Sequence, residues 1–216
     1  MTVREQGPAI EQMAVLHRGF RQDLATAPGL VRRLRAGDHD RIRLVVDHVR
    51  DLMERLHIHH TGEDELLWPL LRERAPDDLA RIQLMQDQHG QVDELVRQVT
   101  TLLTLVSADP VTYRADLADR LDQLATVLDE HMTVEEEELL PIVARHITAA
   151  EWHRLGEHGM TSTPRNKRLI TLTRILDVAT PEERRVFLKE LPAPIRLLWK
   201  FVGKRQLARA DAELYG

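Results

Sequence analysis

Apolar residues return every three or four positions through most of the first 145 residues, which is the rhythm of helices that bury one face. Ile10, Met13, Leu16, Phe20 and Leu24, then Leu30 and Leu34, predict a first helix from Ala9 to about Leu34. The "APGL" at 27–30 is placed to kink it near its end. Gly37 and Asp38 suit a turn, the glycine ending one helix and the aspartate capping the next. Ile42, Val45, Val49, Leu52, Leu56 and Leu66 predict a second helix running to about Arg74, ended by "APDD" at 75–78. Ile82, Met85, Val92, Leu95, Val99, Leu102 and Leu103 predict a third from about Leu79 to Val106. After "SADP" at 107–110, a fourth is expected from about Val111 to Arg145. Four long helices with short connections lie antiparallel to their neighbours, so the expected fold is all-α, an up-down-up-down four-helix bundle.

The pattern changes after about Thr148. "EWHRLGEHGMTSTPRNKR" reads as a short helix and a linker, and three shorter helices follow. One of these has a legible start: Thr180 as cap, Pro181 in the first turn and Glu183 three residues after the cap. Two parts are therefore expected, a bundle over 1–148 and a C-terminal helical extension over 149–216.

Composition narrows the chemistry. The 216 residues contain no cysteine, which excludes disulfides, thiolate metal sites and thiol catalysis. Any metal must be held by nitrogen and oxygen. A net charge of -5 gives no reason to expect nucleic acid as partner. "MTVREQGPAI" has no signal-peptide core, and no apolar run approaches the ~18 residues of a membrane span, so a cytoplasmic setting is expected. The "IRLLWKFVGKRQ" near the C-terminus is apolar and basic at helical spacing, a pattern that fits docking on the bundle, a homodimer, or peripheral contact with an anionic membrane.

The eleven histidines carry the main clue. A shift of 72 residues carries His17 onto His89, His59 onto His131, Glu63 onto Glu135 and Pro69 onto Pro141. The same shift carries Met13 onto Met85, Leu52 onto Leu124 and Leu56 onto Leu128, so donors and core residues repeat together, as in two related helical hairpins. With turns near residues 38 and 110, all four histidines stand roughly 30 Å from a turn and meet at one level of the bundle. In each hairpin the glutamate follows its histidine by four positions, one turn away on the same face. Asp64 and Glu136, one position further, are expected to face solvent or to orient the imidazoles, unless a local wide turn swaps them with Glu63 and Glu135. Four imidazoles and two carboxylates leave positions open around two first-row metals for an oxo or hydroxo bridge, water, O₂ or peroxide. That donor set suits non-haem iron, and also manganese or zinc.

The constellation of His17, His59-x-x-x-Glu63, His89 and His131-x-x-x-Glu135, with "LLWP" and "LLP" following the two pairs, resembles the hemerythrin-like (HHE cation-binding) family over about residues 8–147. The resemblance implies two non-haem iron ions held by His17, His59, Glu63, His89, His131 and Glu135, with O₂, peroxide or nitric oxide as small ligand. The oxygen carriers of that family place two histidines four apart on the third helix, whereas His89 is flanked at that spacing by Met85 and Asp93. One iron is thus expected to lack a nitrogen. This favours peroxidase- or catalase-like redox chemistry, or sensing of O₂, nitric oxide or iron through the C-terminal helices, over simple O₂ carriage. His60 is expected to point about 100° from His59, in solvent or in a supporting position. His57, His39, His48, His146, His153 and His158 have no repeat partners and suit surface or capping roles. Trp68 and Pro69 are expected to plug the end of the bundle.

Overall fold

The computed structural model describes residues 7–216, without the side chain of Glu190. The expectation that "MTVREQGPAI" lacks a signal-peptide core falls largely on residues 1–6, which lie outside the described residues. Helices α1 (Glu11–Arg32), α2 (His39–Leu66), α4 (Leu79–Ala108) and α5 (Pro110–Val134) form the bundle. Each packs on the next and α5 returns to α1, closing a ring of four. The turns are built as their residues dictate. Gly37 takes φ 85°, a left-handed conformation that costs glycine little. The side chains of Asp38 and Asp109 accept hydrogen bonds from the backbone N–H groups of Arg41 and Thr112. Helix α1 continues through Pro28, which is buried close to its end.

The two donor-bearing helices stop earlier than their apolar rhythm suggests. After α2, the chain restarts at Leu67 as the short helix α3 (Trp68–Arg74). After α5 it passes through a π turn, Glu135–Leu139, into α6 (Leu140–His146). The cause is proline. Pro69 and Pro141 offer no N–H to the carbonyl four residues back, so the regular ladder breaks one turn beyond Glu63 and widens into a π turn from Glu135.

The core is split in two. One apolar cluster, with Phe20, Leu24, Leu52, Leu56, Val92, Leu95, Leu124 and Leu128, fills the bundle towards the turns at 38 and 109. A second, with Met13, Trp68, Leu71, Ile82, Met85, Leu139 and Ile142, closes the opposite end. Trp68 is fully buried there, as expected of a plug, whereas Pro69, expected beside it in that role, is exposed.

Residues 149–216 form α7 (Ala149–Ser162), α8 (Arg168–Val178), α9 (Pro181–Glu190), α10 (Ala193–Leu198), a π turn at Trp199–Gly203 and α11 (Lys204–Tyr215). Thr180 and Glu183 make the expected capping box. The extension docks on the bundle: Trp152 joins the second core cluster and Leu214 the first. The Arg41 guanidinium donates to the carbonyls of Glu213 and Leu214. Gly203 lies so close to α8 that an added Cβ would stand 2.4 Å from Thr173 Oγ1. Among the described residues, no helix is long and apolar enough to cross a membrane.

Candidate metal centre

Between the two apolar clusters lies a layer of polar groups. His17 on α1, Glu63 on α2, His131 on α5 and Glu135 at the start of the π turn are fully buried, and His60 and His89 are 2% exposed. His59 joins them with its side chain almost covered. All six residues singled out by the repeat thus reach one layer, and a seventh, His60, reaches it too.

The donors fall into two groups, in each of which one atom per residue lies within 4.8 Å of every other. His17, His59, Glu63 and Glu135 form the first; His60, Glu63, His89 and His131 form the second. Glu63 belongs to both. His17 Nε2 stands 3.3 Å from His59 Nε2 and 3.3 Å from Glu135 Oε2. His89 Nε2 stands 3.4 Å from Glu63 Oε2, and the His60 ring stacks on that of His89 with centroids 4.1 Å apart. Neighbouring ligands about 2.1 Å from a common ion are themselves roughly 3 Å apart, so these separations are close to those of a coordination sphere. Both nitrogens of His60, both oxygens of Glu63 and of Glu135, and Nε2 of His89 and of His131 are buried without a hydrogen-bond partner. Each such atom costs about 1–3 kcal/mol if nothing meets it. Cations among them would meet one nitrogen of His60, the carboxylate oxygens and the two Nε2 atoms, so the residues present fit a metal centre.

The imidazoles are aimed by partners on the outer side of the layer. His17 donates from Nδ1 to Glu136 Oε1 at 2.8 Å, and His89 from Nδ1 to Asp64 Oδ1 at 2.9 Å. His131 donates from Nδ1 to Gln88 Oε1 at 3.2 Å. A proton on Nδ1 leaves the Nε2 lone pair free to face a cation. The 72-residue shift relates the first two bonds to each other, so the repeat extends to these outer contacts. The wide turn therefore does not exchange Glu135 for Glu136. Glu136 is further held by Arg21, which donates to it at 2.7 Å and to Asp129 at 2.6 Å. Asp93, the repeat mate of Arg21, is exposed.

Residues 9–143 match the family model described as Hemerythrin HHE cation binding domain. The match covers well over half of the chain. The chain belongs to this family. No curated protein and no solved structure matched. The hemerythrin match ends within α6, so the extension is not part of what it describes.

Within the hemerythrin domain His60 is the residue sequence reasoning missed. It is not in solvent; it stands beside His89 and His131, on the side where a nitrogen was expected to be lost. The signal was present, since the want of a second histidine on the third helix left a place for a neighbouring imidazole. An angle of about 100° from His59 does not lead out of a closed bundle; it leads to the other half of the same layer. His48 also departs from its expected surface role, being nine-tenths buried where α2 meets the extension.

Charge within the layer is tightly coupled. Burial works against a proton on His17, but Glu135, Glu136 and Glu63 outweigh it and push the ring up to about 9. Burial is likewise outweighed at His89 by Asp64 and Glu63, which push it up to about 10. His59 and His60 are driven well below their ordinary value by burial and by neighbouring imidazoles, and His131 falls to about 4, mainly through burial. Burial and the charge of Glu135 push Glu63 up to about 8. At Glu135 burial acts the same way, but the adjacent His17 holds the carboxyl down at about 2. A divalent cation must displace the protons held by His17, His89 and Glu63, so loading releases protons and strengthens as pH rises.

Proposed function

We propose that the layer holds two non-haem iron ions and that the protein binds O₂, reacts with peroxide, or both. One ion would take His17, His59 and Glu135, the other His60, His89 and His131, with Glu63 between them. The observation that carries this is the sharing of Glu63 by two donor groups, one rich in imidazole and the other in carboxylate. Bound iron would supply the electrons that O₂ or peroxide accepts.

The chain's own part is to hold, orient and exclude. Asp64, Glu136 and Gln88 fix which nitrogen of His89, His17 and His131 faces inward. Trp68, Leu71, Met13 and Met85 on one side, and Phe20, Leu56 and Leu128 on the other, keep bulk water from the layer. With His60 in place, the expected shortage of nitrogen is made good, so nitrogen count no longer argues against reversible O₂ binding.

The test is metal analysis of the purified protein, with visible spectra of oxidised and reduced forms and oxygen release from added peroxide. Two irons per chain, with an absorption band that changes on oxidation, support the proposal. A redox-silent zinc pair, or one ion per chain, overturns it.

One contact favours a second role, as a sensor that reports through the extension. Arg18, next to His17, donates to both carboxylate oxygens of Glu183 on α9 and to the carbonyl of Val178 on α8. A shift of α1 with the state of the centre would pull directly on residues 149–216, which we propose act as a separate appendage. Proteolytic cutting of that segment that differs between oxidised and reduced protein, without turnover of peroxide, would favour this role.

A further inference from the structure

The segment from Ala193 to Arg205 departs from the rest of the surface in two independent ways. Leu197, Leu198, Phe201 and Val202 are exposed, Leu197 by 57% and Phe201 by 56%. Their spacing puts them on one side of the helix, while Trp199, Gly203, Leu207 and Leu214 turn the other side inward. The orientation is fixed by Gly203, since the close approach to Thr173 leaves room for nothing larger. Exposed apolar residues scattered singly are ordinary, but four adjacent ones are not.

The second departure is charge. Arg196, Lys200, Lys204 and Arg205 stand in this segment with no acidic residue between Ala193 and Arg205. Among the described residues none of the four has an acidic partner; Arg196 donates to the Leu188 carbonyl, and Lys200 and Lys204 lie over the rings of Phe201 and Trp199. Elsewhere, exposed cations such as Arg32, Arg43 and Arg185 are paired with carboxylates. The apolar face is therefore flanked by four uncompensated positive charges.

We propose that this face is a docking surface for an anionic lipid bilayer, the helix lying in the headgroup plane with Leu197, Leu198, Phe201 and Val202 inserted. Apolar side chains beside basic ones are what an interfacial helix needs: the former enter the acyl boundary, the latter meet lipid phosphates. Lys200 and Lys204 have long aliphatic stems that let their ammonium groups reach the headgroups while Leu197, Leu198, Phe201 and Val202 insert. A second copy of the chain is disfavoured, because a twofold pairing of this face would set its four cations against four more.

The test is co-sedimentation of the full chain with vesicles of phosphatidylcholine containing about one third phosphatidylglycerol, a fraction chosen to give a strongly negative surface. Binding is expected to these vesicles, far less to pure phosphatidylcholine, and to be reversed by high salt. Each cation reversed, as in Lys200→Glu and Lys204→Glu, is expected to weaken binding about fivefold or more. Leu197→Glu with Phe201→Glu should abolish it while changing the thermal midpoint little, because both side chains are more than half exposed. Absence of binding to the anionic vesicles overturns the proposal. Unchanged binding of the Leu197→Glu, Phe201→Glu variant also overturns it. So does a dimer in sedimentation velocity that the same variant dissolves, which would assign the face to a second copy.

Discussion

Asp64 and Glu136 touch no candidate metal position, yet they decide how the imidazoles that do are presented. Replacing either by its amide keeps the volume and removes the charge that holds the proton on Nδ1. Asp64→Asn and Glu136→Gln should each weaken metal binding about 10- to 100-fold, read by competition with a coloured chelator. Asp64→Asn should be the larger loss at low ionic strength, because Glu136 shares its charge with Arg21 and Asp64 has no such partner among the described residues. His60→Phe keeps the ring that stacks on His89 and removes both nitrogens. It should cut the metal content by one ion per chain; unchanged stoichiometry would remove His60 from the donor set. The six repeated donors were legible in sequence because a shift of 72 residues moved them together with the core. The repeat did not mark His60, because it has no mate: Met132 stands at the shifted position. A repeat shows what both halves share, and is silent on what one half adds.

The bundle helices could be read from their periodicity, and the early ends of α2 and α5 could not. Apolar spacing continues across Leu67 and Leu139, and only the missing N–H of Pro69 and Pro141 breaks the ladder there. The first break follows Glu63 and the second begins at Glu135, where the chain turns Asp64 and Glu136 outward while Glu63 and Glu135 stay inward. The π turn of the extension is set by a different constraint. Gly203 packs where a side chain would meet Thr173, which is 2% exposed and already donates to the Leu169 carbonyl. Gly203→Ala should therefore lower stability by about 1–3 kcal/mol, measured by urea unfolding. Adding Thr173→Ala should recover part of that loss, since it makes the space the new methyl needs.

At the scale of the whole molecule, the bundle and the extension meet around a cavity of about 200 Å³ lined by His48, Asp51, Arg55, Lys167 and Arg174. Burial holds His48 down to about 4, with Arg174 and Arg55 opposing its protonation and Asp23 and Asp51 favouring it. The unfolded chain takes up this proton near the ordinary pH of 6.5, whereas the folded chain resists it until about 4. The unfolded state thus binds more protons in between, and the contribution of His48 to stability, complete above that range, is lost as pH falls through it. Between pH 7 and pH 5 the loss is about 2 kcal/mol. His48→Gln should remove that much of the acid sensitivity, seen as a smaller separation between urea midpoints at the two pH values. No repeat or motif marked His48, because its burial depends on the extension folding back across α2.

That folding back has a consequence for how the protein is made. Leu214 fills the same apolar cluster as Leu30, Val45 and Leu121, and Arg41 binds the carbonyls beside it. A nascent chain can wind all four bundle helices and still leave this seam open to water until residue 214 clears the ribosomal tunnel. The native packing is accordingly complete only once residue 214 has emerged, and the last turn of α11 is the piece that closes it.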